Sequence, residues 1–437
     1  MKTQSMKSSR FNIYYNSKSN KRLVYNTMSD AIISIDNELE CCMKNNLFKD
    51  INEEYLSMLI QNGFLVNTDE TSIFQLNINR LKYSNKFASF ILIPTHRCNL
   101  NCTYCYQQAG NVLSDTMDTV TVSNIIKYIK KIASGKAGIT ISLYGGEPLL
   151  EPEKLLNIFE ELKTYCEKEK KSFKITGTTN GTLLSVDLIE KFKKYPIADI
   201  QITFAGPKNI HDAKRMYKNG MGTYDRLVEV VQNLEKHKID YHLRIDVDNE
   251  NFSHIGELLD DLKDKLGKPP RISIQKVSCI TIFNKECNGQ IAEVAEDRMH
   301  ELYTLANSKG YSTNPITLGN SRIGCGAIFD GTYTIAPNGD IYKCCSSVGI
   351  AEHRLGTIAD DGTLRDINQE AYCKWTLRNP LQFEECLPCE FAPMCFAGCA
   401  LHAYNKFGDI NNPICSKEQY RNNIEAYLKN YYQDKWG

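Results

Sequence analysis

Apolar and polar positions alternate in a regular way over the middle of the chain. The runs FASFILIP (87–94), GITISLY (138–144), SFKITGT (172–178), DIQITF (199–204), YHLRIDV (241–247) and RISIQKV (271–277) read as strands. The stretches 117–134, 153–168, 184–194, 223–237, 252–265 and 291–309 carry helical periodicity. Six strand–helix units in series predict a parallel sheet with helices outside, either an open (β/α)6 barrel or a doubly wound sheet. In both, ligands gather at the C-terminal ends of the strands.

Before this, residues 1–85 read as a small separate unit. RFNIYYN (10–16) and KRLVYN (21–26) predict a hairpin. A helix is expected to open at Ser29, with Ile32, Ile33, Ile35 and Leu39 as its apolar face, and a second helix over 51–66 ends at Gly63. Two helices, a glycine turn and flanking strands outline a winged helix. Lys and Arg are matched by acids here and no basic recognition face stands out, so DNA binding is disfavoured. Past 310, Tyr333 to Tyr342 around the Pro337-Asn338-Gly339-Asp340 turn predicts a hairpin that presents Cys344.

At 437 residues the chain is long enough for two to three domains. Lys and Arg number 52, as do Asp and Glu, so no broad electrostatic grip on nucleic acid or anionic lipid is expected. No apolar run approaches the roughly 18–20 residues of a membrane span. The first residues lack the apolar core of a secretory signal, so a reducing, cytoplasmic setting is expected. There, 17 cysteines are more readily explained by metal than by disulfides. Eleven of them lie at or beyond position 279, which points to a cysteine-rich C-terminal module.

The first cluster follows the first strand: Cys98, Cys102 and Cys105 form C-x3-C-x2-C in a loop at its C-terminal end. Three thiolates can hold three irons of a [4Fe–4S] cube and leave the fourth open to a small molecule. A zinc site is the competing reading. Here the chain resembles the radical S-adenosylmethionine (SAM) enzymes. In that family the open iron chelates SAM, whose cleavage yields a 5′-deoxyadenosyl radical that takes a hydrogen atom from the substrate. The resemblance assigns further residues in order. Tyr104 would lie near the adenine. Gly145, Gly146, Glu147 and Pro148 match the GGEP motif that meets the SAM amine, with glycines allowing close carbonyl approach and Glu147 facing a cation. Asn180 would lie near the ribose, and Thr203 would bond SAM. Arg215 and Arg244 would each meet the SAM carboxylate or be surface charges. Ala205 departs from the family, which usually has Asp there, so any base the reaction needs would come from elsewhere, from the substrate or from water.

The second cluster resembles the SPASM extension of the same enzymes. Cys325 is followed by 13 residues, Gly339, four residues and Cys344; then come Cys386-x2-Cys389-x5-Cys395-x3-Cys399 and Cys415. The resemblance implies two auxiliary [4Fe–4S] clusters and three in all. Cys386, Cys389, Cys395 and Cys415 would hold the outer one, and Cys325, Cys344 and Cys399 the inner one. Cys345, Cys279 or Cys287 would fill the inner cluster's fourth place, or an iron would stay open. The implied architecture is a winged-helix-like peptide-recognition domain (1–85), a partial (β/α)6 TIM barrel as the radical SAM core (86–310) and a SPASM domain (311–437). The implied function is maturation of a ribosomally synthesised precursor peptide, recognised by its leader, with a flavodoxin or ferredoxin as reductant. A Lys–Trp carbon–carbon crosslink of the streptide type is favoured over a sactipeptide-like thioether. A zinc-stabilised winged-helix regulator is the reading from another class.

Overall fold

The structure, a computed structural model, describes residues 6–16, 22–84, 86–107, 112–277, 294, 298–313 and 324–432. It divides into two compact units. One joins Met1–Tyr83, Asn314–Cys325 and Leu377–Gly437; the other joins Ser84–Thr313 and Gly326–Thr376. Each unit draws on more than one stretch of the sequence.

In the first unit, β1 (Lys7–Ser8) is followed by β2 (Asn12–Asn16), β3 (Arg22–Asn26) and β4 (Ile32–Ile35), then α1 (Asn37–Asn45), α2 (Glu53–Gln61), β5 (Leu65–Val66) and α3 (Glu70–Lys82). β2, β3 and β4 form one antiparallel sheet in that order. The expected hairpin is present. The helix expected to open at Ser29 is not: Ile32–Ile35 is a strand, and the helix starts only after Asp36, whose carboxylate caps Leu39 N at 2.7 Å. Three β-branched residues in four favour the strand.

Alternation along β2 and β3 sends side chains to both faces. Val24 joins Ile35, Leu39, Met43, Leu59 and Phe64 in a core with the helices. Ile13, Tyr15, Leu23 and Tyr25 face the other way and pack on Phe391, Ile424 and Leu428. A sheet apolar on both faces needs two covers, and the C-terminal segment supplies the second. That is why residues 1–83 share a unit with 377–437.

The second unit holds β6 (Phe87–Leu92), α4 (Thr119–Ala133), β7 (Gly138–Leu143), α5 (Pro152–Lys168), β8 (Ser172–Thr179), α6 (Val186–Phe192), β9 (Ile197–Phe204), α7 (Lys208–Lys214), α8 (Tyr224–Lys236), β10 (Tyr241–Val247), α9 (Ile255–Leu266), β11 (Ile272–Lys276) and α10 (Met299–Ser308). The strands β6 to β11 lie parallel and in sequence order, with β11 at one end of the sheet. This is the expected open six-unit barrel. One core cluster runs through it, from Phe90 and Ile141 to Leu259 and Ile274. Beyond β6 the sheet continues with β12 (Thr332–Ile335), parallel to β6, then β13 (Asp340–Tyr342), β14 (Gly356–Ile358) and β15 (Leu364–Arg365), all antiparallel. The predicted 333–342 hairpin is thus β12–β13, but it extends the barrel sheet.

Candidate active site

The loop that leaves β6 carries Cys98, Cys102 and Cys105 and lies against the end of α7 and the residues just after it. Asn101 N donates to Met216 O (2.8 Å) and Thr103 N to Lys214 O (3.0 Å). All three cysteines line one cavity of about 220 Å³, together with Tyr104, Gly145, Gly146, Asn180, Thr203, Arg215 and Arg244. Gln201 and Asp246 also line it; neither was anticipated from the sequence. The signal was there: alternation puts Gln201 on the face of Thr203 and Asp246 on the face of Arg244, and Thr203 pairs in register with Arg244.

Burial pushes the Cys98 thiol up to about 11, helped by Glu147. Burial also raises Cys102, and the Arg215 guanidinium pulls it back. Metal binding here must therefore displace protons. Among the described residues no three His, Cys, Asp or Glu side chains stand close enough to hold one metal ion. Three thiols lining one cavity can hold three irons of a four-iron cube.

Glu147 and Pro148 are not among the residues that line this cavity. Glu147 is fully buried. Its Oε1 accepts from Leu149 N (3.0 Å) and Thr179 Oγ1 (2.7 Å), and its Oε2 from Asn180 N (2.7 Å). It pins the end of β8 to the end of β7, and the Arg215 guanidinium acts on it from a distance. Burial raises its pKa, and the three donors oppose the shift. The two glycines before it answer to the protein's own backbone. A Cβ on Gly146 would sit 2.2 Å from Arg97 O, and one on Gly145, whose φ is +129°, 2.7 Å from Thr95 O. They let the β7 loop run beneath the cysteine loop, where Glu147 N donates to Arg97 O at 2.8 Å. Pro148 is buried and opens a short 3-10 turn.

Asn180 is held by its neighbours and aimed at Cys98. Its Oδ1 accepts from Thr182 N and Oγ1; its Nδ2 donates to Asn99 Oδ1 (2.8 Å) and lies 3.7 Å from Cys98 Sγ. Arg215 is placed by a chain of bonds that fixes a histidine tautomer. Ala205 N donates to His211 Nδ1 (3.2 Å), so His211 Nε2 donates to Thr223 Oγ1 (3.0 Å), which donates to Arg215 O (2.6 Å). Burial drives the His211 pKa far down, so the ring is neutral. Arg215 Nη1 donates to Tyr104 OH (2.9 Å), while its Nε is buried with no hydrogen-bond partner among the described residues. That orphaned donor beside the cavity suits a carboxylate acceptor. Arg244 is less free, since its Nε donates to Asp246 Oδ1 at 2.6 Å. Ala205 is buried, its carbonyl held by Asn251 Nδ2 (3.0 Å), so Asp246 is the carboxylate that lines the cavity.

Six of the seven SPASM-pattern cysteines, Cys325, Cys386, Cys389, Cys395, Cys399 and Cys415, lie in the first unit. Ile414 N donates to Ala397 O (3.0 Å), which brings Cys415 alongside the 395–399 loop. Burial lifts Cys386 to about 11, and Cys395, Cys389 and Cys415 add to the shift. Cys389 and Cys395 are raised by burial as well, each also through Cys415. These four thiols act on one another electrostatically. Cys344 lies in the second unit beside Cys345, which packs with Ile93, Tyr144, Tyr342 and Val348. Cys279 and Cys287 fall outside the described residues.

Two known families match stretches of the chain: the radical SAM superfamily over residues 92–262 and the SPASM iron–sulfur cluster-binding domain over residues 325–390. The chain belongs to the radical SAM superfamily and carries a SPASM domain. It is 24% identical over 441 residues to the radical SAM cyclopropyl synthase TigE of Paramaledivibacter caminithermalis, across 89% of this chain and 88% of that one. It is 22% identical over 368 residues to the cysteine-type anaerobic sulfatase-maturating enzyme of Clostridium novyi, across 78% and 96%. Streptococcus suis SuiB shares the fold. With bound S-adenosylmethionine it gives a TM-score of 0.55 at 16% identity, across 94% of this chain and 99% of that one. Bound to its precursor peptide SuiA it gives 0.54 at 15%, with the same coverage. The protein is therefore a radical SAM/SPASM enzyme whose cofactors are S-adenosylmethionine and [4Fe–4S] clusters. Among the described residues, no helix is long and apolar enough to cross a membrane.

Proposed function

We propose that this enzyme matures a ribosomally synthesised precursor peptide by joining two of its side chains through a carbon–carbon bond, Lys to Trp in the favoured form. The observation that carries the reading is the β2–β3–β4 sheet at the N-terminus. Among its described residues β2 and β4 each pair on one side only, so each offers a free strand edge. A leader peptide can add there as a further strand, held by main-chain bonds. SuiB, solved with its precursor peptide, supports a partner of this kind.

Three clusters are proposed, one on Cys98, Cys102 and Cys105 and two on the C-terminal cysteines. The first, with SAM, would supply a 5′-deoxyadenosyl radical that takes a hydrogen atom from a side-chain carbon. Arg215, through its unpaired Nε, binds the SAM carboxylate. Tyr104, Asn180 and Thr203 line the rest of the SAM cavity, and Gly145 and Gly146 floor it. Glu147 holds the ends of β7 and β8 in place. Asp246 takes the proton that bond formation releases, in place of the carboxylate missing at Ala205, and an auxiliary cluster would take the electron released with it. A flavodoxin or ferredoxin supplies the first electron.

The test is anaerobic incubation of the reconstituted enzyme with SAM, reductant and a candidate peptide encoded beside its gene. The expected product has lost two hydrogens and shows a new crosslink by tandem mass spectrometry, and a leaderless peptide reacts far more slowly. SAM cleavage without any change in the peptide, together with oxidation of a sulfatase Cys or Ser peptide, would refute the reading.

A further inference from the structure

The first unit holds a second system of buried charge. Arg378, just after the helix Gln369–Leu377, is 2% exposed. Its Nε donates to Ile410 O (2.8 Å), its Nη1 to Phe396 O (3.1 Å) and Gly398 O (3.2 Å), and its Nη2 to Ala397 O (2.8 Å) and Asn412 O (3.0 Å). A guanidinium has five donors in a fixed plane. Here all five end on main-chain carbonyls.

Three of those carbonyls are consecutive. Phe396, Ala397 and Gly398 have φ of +54°, +63° and +72°, a left-handed curl that Phe and Ala rarely adopt. The curl turns three carbonyls onto one guanidinium. These residues are also the whole spacer of Cys395-x3-Cys399, so Arg378 sets how that spacer folds.

The charge is the second clue. Among the described residues Arg378 has no carboxylate partner. Lys82, also 2% exposed, donates its Nζ to Arg378 O at 2.7 Å and likewise forms no ion pair. The cysteines Cys399, Cys386, Cys395 and Cys325 are near enough to act on Arg378 electrostatically. A buried cation is costly unless a counter-charge faces it. Neutral thiols supply none, whereas thiolates on iron do.

We propose that Arg378 is the counter-cation of the cysteine module, a positioning residue that holds the Cys395–Cys399 spacer curled and raises the reduction potential of the cluster bound there. The proposal rests on the reading that this module carries auxiliary clusters. A fixed positive charge favours the more negative, reduced cluster, which moves the potential upward.

The experiment uses the full-length chain with Cys98, Cys102 and Cys105 all changed to Ala, so that only auxiliary clusters contribute. This parent is compared with Arg378→Gln and Arg378→Lys after anaerobic reconstitution. Iron content, circular dichroism and an EPR-monitored redox titration are measured. The parent should hold about eight iron, two four-iron cubes. Arg378→Gln should lose iron, and the clusters it keeps should titrate at a lower midpoint. Arg378→Lys, with the charge but not the five donors, should fold, lose some iron and keep a midpoint nearer the parent's. A purely structural role would lower iron in both variants without moving any midpoint, and that result would overturn the proposal. So would full iron and an unmoved midpoint in both. A parent with no auxiliary iron would instead remove the reading beneath the proposal, which tells the two failures apart.

Discussion

The two cysteine regions are braced by buried charges of opposite sign. Beside the radical SAM cavity the brace is Glu147, an acid whose oxygens collect Asn180 N, Leu149 N and Thr179 Oγ1. In the C-terminal module it is Arg378, a cation whose donors collect five carbonyls. Glu147 raises the thiol of Cys98, and the cavity's own cation, Arg215, pulls Cys102 back down. In the C-terminal module, Arg378 and Lys82 are both cations. The SAM-side thiols therefore sit between charges of both signs, next to a free guanidinium donor. The module's thiols have two buried cations in their unit, with the carboxylates Glu385 and Glu390 acting on Cys386 and Cys389 from nearer the surface. The first arrangement suits a site that must also bind a zwitterionic ligand. The second suits a site that stores and passes electrons.

The largest expected difference between the regions is one of reaction step. Cys98→Ala should abolish SAM cleavage and remove about four iron per chain, one cube. Cys389→Ala should keep a measurable rate of 5′-deoxyadenosine formation yet stop crosslinking. Chromatography of 5′-deoxyadenosine and mass spectrometry of the peptide, run on the same samples, decide it. Equal crosslinking by the Cys389 variant would mean that the module takes no electron from the substrate.

A smaller effect is expected at Asp246. Asn keeps the shape but cannot accept the proton, and general-base catalysis is worth about 100-fold or more. Asp246→Asn should slow crosslinking by about that factor while 5′-deoxyadenosine still forms, so the ratio of product to cleaved SAM falls. An unchanged ratio removes Asp246 from the proton path. The third effect concerns stability. Glu147→Ala leaves three buried donors without an acceptor and should cost about 2–5 kcal/mol by denaturant unfolding of the metal-free chain. Peptide binding to the N-terminal sheet should survive under native conditions. A cost near zero would mean that water replaces the carboxylate and the brace is dispensable.

The six barrel strands were legible because parallel strands covered on both faces read as apolar runs. The same reasoning explains what went unseen at the N-terminus. NIYYN and RLVYN are apolar at neighbouring positions, which already says that both faces of the sheet are buried. The partner, Phe391 with Ile424 and Leu428, is too distant in sequence for any local pattern to reveal. Ile32–Ile35 misled because Ile-Ile-x-Ile fits a helical stripe as well as a strand. At the cavity, motif spacing picked out Glu147, but not that its carboxylate collects Leu149 N, Asn180 N and Thr179 Oγ1. Those donors come from the ends of two strands, a packing fact with no sequence signature. Asp246 was readable from alternation with Arg244. Arg378 was not readable: one arginine before Asn379-Pro380 has no periodic context, and its acceptors are carbonyls.

The smallest expected effect tests the cationic side of the contrast through Lys82. Burial, with help from the Arg378 charge, lowers its pKa from 10.5 to about 8. Its folded pKa thus lies below its unfolded one, and between pH about 8 and 10.5 the unfolded chain binds more protons at this site. Stability from this group then rises with pH across that window and is lowest below it. The buried thiols titrate in the same range with the opposite sign, so the metal-free protein alone would not resolve the effect. The difference between wild type and Lys82→Met does, since the thiols are common to both. Relative to the variant, the wild-type chain should gain stability from pH 8 to pH 10.5 in urea unfolding. Reconstitution should flatten that gain, because anionic clusters nearby would hold the ammonium charged. A gain unaffected by iron would place Lys82 outside the field of the clusters and leave Arg378 as the cation that matters.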